Sequence, residues 1–189
     1  MGAIAPGAAG VQVAGETGEV TARHLDTDAV ADLMKAFADE DSAVRYWAAL
    51  GMLMRGEAAV AVARDELRAA LADEEPSVRI PAAWALGQHG NADDLKQALP
   101  VLLDLAKNAP EGKDEIRALR GYIRLARQFN MPDKERAEMC RTALATAKRD
   151  DEKKLVIEVL KRYPSIDTLK LAVEAAKEPS LKNDAAAAS

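Results

Sequence analysis

Four arginines, Arg117, Arg120, Arg124 and Arg127, recur at steps of three, four and three within DEIRALRGYIRLARQ. On a helix those steps set them along one side. A row of guanidinium groups is suited to bidentate contact with phosphate, sulfate or carboxylate. These four are the candidate anion-binding or partner-binding residues, and the competing expectation is a solvated face with acidic neighbours in the next structural unit. Trp47 and Trp84 raise a second chemistry, because indole faces stack on sugar rings. At helical positions beside Ala-Ala pairs, both are expected to fill core instead.

The other reactive side chains do not assemble into a catalytic set. His24 and His89 are the only histidines and lie far apart in the chain, so both are expected as exposed or capping groups. Cys140, in AEMCRTAL, has no histidine near it to activate the thiol and is expected as a small core residue. One cysteine excludes an intramolecular disulfide and metal sites built on paired cysteines. The pairs Asp93 and Asp94, and Asp150 and Asp151, fall at expected helix starts, where carboxylates complement the helix dipole. There is no phosphate-cradling glycine loop, paired-histidine helix motif or calcium loop. No catalytic, cofactor-binding or metal-binding residue is therefore assigned, no cofactor is expected, and the chain is not expected to be an enzyme.

The 189 residues are 49% hydrophobic and 30% charged but only 4% aromatic, which places them among folded rather than disordered chains. Alanine and leucine dominate, and they are the strongest helix formers. No run approaches the roughly 20 apolar residues of a membrane span, so membrane insertion is not expected. Residues 1–22 carry no basic side chain before Arg23 and are interrupted by Pro6 and several glycines. They are expected to be a flexible leader rather than a secretory signal, and the cytoplasm is the expected compartment. The net charge of −5 is uneven: residues 1–110 hold 9 basic against 17 acidic side chains, residues 111–163 hold 14 against 10. An acidic front half argues against nucleic acid as a partner.

The elements that must position the arginines come from a repeat. Shifted by 34 residues, LMKAFADEDSAVRYWAALGMLMRG (33–56) lies on LRAALADEEPSVRIPAAWALGQHG (67–90) with ten identities in 24 positions and no gap. Each copy has an apolar helix, an acidic turn and a second helix opening on Val-Arg, which is a helical hairpin with its turn chemistry in place. Val44, Ala48 and Met52, like Val78, Ala82 and Leu86, form four-residue stripes that one hairpin cannot cover alone. Further helices are expected over 93–107, 113–128, 132–148, 151–162 and 166–177, with a short Ala-rich piece after Pro179. The expectation is an all-α solenoid of about five stacked hairpins, near 23–56, 57–90, 91–130, 131–163 and 164–188. Its body covers 23–178 and a frayed tail covers 179–189. Pro81 lies inside a second helix and should bend it.

DEDSAVRYWAA and DEEPSVRIPAAWALG resemble the inter-helix turn and second helix of bacterial HEAT repeats, including bilin-lyase-like ones. The resemblance implies a ladder between successive repeats, made by a turn Asp and a basic residue six positions later. Asp39 with Arg45 and Asp73 with Arg79 have that spacing, and Glu111 with Arg117 is a weaker instance. More narrowly, VRYWAALGMLMRGEAAV is similar to the C-terminal HEAT tails of bacterial sulfatases. The sulfatase signature, Cys or Ser followed by x-Pro-x-Arg, does not occur here, since Cys140 precedes Arg-Thr-Ala.

Three functions follow as expectations. The first is a non-catalytic scaffold that binds a protein partner. The alternative is the HEAT appendage of a larger sulfatase-like hydrolase, a sulfuric ester hydrolase, positioning a sulfated or other anionic ligand. The third is an enzyme or nucleic-acid protein on a helical-repeat fold, resembling bilin lyases or alkylpurine glycosylases, which the acidity of the chain opposes.

Overall fold

The structure is a computed structural model that describes residues 27–110, 112–128 and 131–186. The expected leader, His24 and Glu111 lie outside the described residues. Among the described residues there are eleven helices and no strand. They are α1 (Thr27–Ala36), α2 (Ser42–Arg55), α3 (Glu57–Val62), α4 (Arg64–Ala70), α5 (Pro76–His89) and α6 (Ala92–Asn108), followed by α7 (Gly112–Leu125), α8 (Asp133–Thr146), α9 (Asp150–Arg162), α10 (Ile166–Ala175) and α11 (Lys182–Ala186).

The turns are set by local chemistry. Asp41 caps α2 by accepting the Ala43 N–H at 2.8 Å. Pro76 opens α5, where the first turn has no N–H to lose. Asn91 and Asp94 form a reciprocal capping box on α6, and Ser165 with Thr168 does the same on α10. Gly56, at φ 81°, ends α2 and starts α3 in a conformation that a side chain would strain. The first leg of the second hairpin is broken at Ala63 into α3 and α4, a break the sequence pattern does not announce. α5 runs through the buried Pro81 to His89, and α6 likewise contains Pro100.

The second helices of four hairpins, α2, α5, α7 and α9, pack side by side, each on its own first helix. Alanines and glycines at these contacts bring the helices close. Ala48, Ala49, Ala82, Ala83 and Ala118 are fully buried, and a methyl on Gly87 would meet Leu125 of the next hairpin. One continuous core results, filled by Met52, Leu67, Leu86, Leu102, Leu125, Ile157 and Leu160. The chain beyond 179 departs from the expected frayed tail. Leu181 and Ala185 are fully buried, because α11 closes the last hairpin against α10 and α9.

Gly90 joins α5 to α6 with φ −82°, which any residue adopts. Its constraint is space. A Cβ there would stand 2.6 Å from the Asp94 Cβ and 2.7 Å from its Oδ2, and would also press on the Leu86 carbonyl. Gly90→Ala is therefore expected to lower the unfolding free energy by about 1–3 kcal/mol, measured by urea denaturation. An unchanged or higher midpoint would show that the turn yields freely.

Candidate functional site

On α7 the apolar stripe Ala118, Leu119, Tyr122, Ile123 and Leu125 turns into the core. The opposite side therefore carries Arg117, Arg120 and Arg124, and Arg127 follows in the turn after α7, which ends at Leu125 rather than at the expected 128; all four are exposed. Arg117 reaches across this face: it donates from Nη2 to the Tyr46 hydroxyl at 2.7 Å and lies 5.3 Å from its ring centre, although Tyr46 belongs to α2 and α5 stands between.

The four arginines have different surroundings. Arg120 donates from Nε and Nη2 to Glu152 Oε1, at 3.0 and 2.9 Å, and Glu152 is buried at the start of α9. Arg117 has the Asp114 carboxylate at 3.8 Å among the described residues. Arg124 lies over the Trp84 ring, 4.8 Å from its centre. Neither Arg124 nor Arg127 is paired with a carboxylate among the described residues. Both edge an open groove of about 770 Å³ whose floor and sides include Trp84, Gln88, Ile123 and Leu155. A second hollow of about 480 Å³ extends it past Arg124 to Leu50, Leu53 and His89. Glu158 is the acidic side chain on the groove wall, and it accepts from Lys161 at 2.8 Å.

The ladder residues fall between repeats. Arg45 of the first hairpin makes a two-pronged bond to Asp73 of the second, Nε to Oδ2 at 2.8 Å and Nη2 to Oδ1 at 3.0 Å. Its Nη1 also donates to the backbone carbonyls of Asp39 and Glu40. The Asp39 carboxylate instead accepts the Asp41 N–H. Arg79 adds to the positive field at Asp73, and its Nε is buried without a hydrogen bond among the described residues. The hydrogen bond from Arg45 holds the Asp73 carboxyl below its usual pKa, assisted by the Glu75 N–H and opposed by burial.

Two further clusters are not evident from residue spacing. Asp94, fully buried, receives Arg68 at 2.6 and 2.8 Å and lies 3.2 Å from Arg64, so it ties α4 to α6 as well as capping α6. Arg136, buried on α8, donates to the carbonyls of Ala126, Gln128 and Met131 beyond α7 and stacks 3.9 Å from the Tyr163 ring centre. The repeat of Arg at helical steps on α7 is visible in sequence, whereas these partners are remote in it.

Trp47 corrects the expectation of a core role, being 61% exposed. Its counterpart 34 positions on, Pro81, is buried because α5 has a second helix on each side, while α2 has one only toward α5 among the described residues. Trp84 is partly buried under Arg124. His89 ends α5 half-buried, where burial first and then Arg124 hold the imidazole below its usual pKa against the raising effect of Glu57 and the Leu53 carbonyl. Cys140 is buried, and burial pushes its thiol up to about 12. No group of three metal-ligating side chains occurs among the described residues, and no helix among them is long and apolar enough to cross a membrane.

Residues 54–121 match the family model described as HEAT repeats. No curated protein matches the chain.

Three outcomes follow from this geometry. Because the folded Asp73 pKa is depressed, its contribution is fully present above the ordinary carboxylate value of 3.8 and is lost as pH falls through the lower folded pKa. The stability gap between the protein and Asp73→Asn should thus be constant above about pH 5 and narrow below about pH 4, in urea melts across that range. A gap that widens with acid contradicts the pairing. Separately, acrylamide should quench a Trp84→Phe variant, which retains Trp47, far more strongly than a Trp47→Phe variant. Cys140 should react with a thiol reagent only at the rate of unfolding.

Proposed function

Because the chain carries HEAT repeats over residues 54–121 and continues as stacked hairpins from α1 to α11, we propose that this HEAT-repeat protein is a non-catalytic scaffold that holds a protein partner in the groove of α5, α7 and α9. The observation that carries the reading is the groove itself. It crosses several repeats, is lined by arginine, indole and aliphatic side chains, and has no nucleophile paired with a base along it. Solenoids present such concave surfaces to extended partners, and aromatic and arginine side chains are the usual anchors of protein interfaces. A cytoplasmic location is part of this proposal.

A second reading uses the same arginines. As the C-terminal appendage of a sulfatase-like hydrolase, the chain would hold a sulfated or otherwise anionic substrate near a catalytic domain. What favours it is the likeness of residues 44–60 to bacterial sulfatase tails, together with two groove arginines that lack a carboxylate partner. An open reading frame running upstream through a Cys or Ser followed by x-Pro-x-Arg would support it. A separate start and upstream stop would end it.

The scaffold reading is tested by placing a photo-crosslinking residue at Gln88 or Leu155 in the groove, and at Asp65 or Lys107 on the first-helix side, in the protein expressed in its source cells. The same protein partner should be trapped from both groove positions and from neither control position. Trapping that is equal at all four positions, or absent at all four, would overturn it.

A further inference from the structure

Resting on the scaffold reading, we infer that the groove recognises an extended acidic peptide segment, with its carboxylates on Arg124 and Arg127 and its main chain against Trp84 and Gln88. Charge is the first argument. Of the arginines on this face, Arg120 is already neutralised by the buried Glu152, while Arg124 and Arg127, one turn apart, have no carboxylate among the described residues. Glu158, the acid on the same wall, is occupied by Lys161. The groove therefore presents two unneutralised guanidinium groups to whatever enters it, and an anionic side chain that binds there displaces no existing ion pair.

The second argument is independent of charge. The indole Nε1 of Trp84 and the side-chain oxygen Oε1 of Gln88 are buried and have no hydrogen-bond partner. They sit one helical turn apart on α5, a donor and an acceptor along the same groove. A peptide main chain supplies the complementary carbonyl and N–H, which a sulfate or phosphate ion does not. The guanidinium of Arg124 lies over the Trp84 ring, so a carboxylate that draws it away changes the surroundings of the indole at the same step. Ile123 and Leu155 beside the arginines accept an aliphatic side chain from the same segment. The partner thus has acidic residues interspersed with leucine-like ones, in an unfolded or extended stretch.

The test uses the full chain carrying Trp47→Phe, which leaves Trp84 as the sole tryptophan and alters a residue outside the groove. Its fluorescence is titrated with a synthetic peptide of about ten residues, mixing glutamate, aspartate and leucine. The matching glutamine and asparagine peptide and a sulfated oligosaccharide are titrated in parallel. The expected result is a saturable Trp84 change with the acidic peptide alone. It should weaken by more than about tenfold when Arg124→Gln and Arg127→Gln are combined, weaken as salt rises from about 0.05 to about 0.5 M, and be unaffected by Arg141→Gln on α8. Circular dichroism on each variant separates loss of binding from loss of fold. Equal binding of the neutral peptide, indifference to the arginine pair, preference for the sulfated oligosaccharide, or no binding at all would each overturn the inference. A partner crosslinked in the groove through a segment without acidic residues would leave the scaffold reading standing and remove this one.

Discussion

A carboxylate withdrawn from water needs a cation, and in this protein the neighbouring hairpin supplies it. Asp73 takes Arg45 from the hairpin before it, Asp94 takes Arg68 with Arg64 close by, and Glu152 takes Arg120. Removing the arginine from such a site leaves a buried carboxylate with less positive charge to offset it. Each pair therefore fixes where one hairpin sits on the next. Asp73 and Asp94 stand at a turn and a helix start, so they serve backbone N–H groups and the preceding repeat at once. Turn geometry and repeat stacking are set by the same atoms.

That arrangement also shapes the groove. Gly87 admits Leu125, and buried alanines line the contacts between second helices, so these helices pack closely and bring α5, α7 and α9 around one groove. The arginines of α7 consequently differ in role although they share one stripe. Arg120 holds α7 to α9, Arg117 leans on Tyr46, and Arg124 and Arg127 face the open groove. A solvated charged face and a binding site coexist on one helix, divided by which carboxylate the neighbouring hairpin happens to offer.

Much of the fold was legible in the residues. The 34-residue shift, the acidic turns, Pro76 at a helix start and the four-residue stripes all reflect local rules of helix capping and amphipathicity, which act within a few positions along the chain. The break at Ala63 was not legible, since the residues around it are good helix formers and nothing local marks an interruption. The packing of Leu181 and Ala185 was likewise hidden, because an Ala-rich terminus resembles frayed chain until a neighbouring helix covers it. Trp47 is exposed while Trp84 is sheltered by Arg124. The two hold different positions of the repeat, Trp47 aligning with Pro81 and Trp84 with Leu50, and the cover on Trp84 comes from another hairpin.

The sequence by itself determined the helices, the hairpin period and the alignment of four arginines on one side of α7, because these depend on helical geometry and on contacts between residues three to four apart. Only the tertiary structure decided that Arg45 meets Asp73 rather than the Asp39 carboxylate, and that Asp94 is a buried junction as well as a cap. It also decided that two of the four arginines, Arg124 and Arg127, are without a close carboxylate among the described residues. Those outcomes depend on the stacking angle and separation of whole hairpins, and sequence spacing does not encode distances between chain segments that fold brings together.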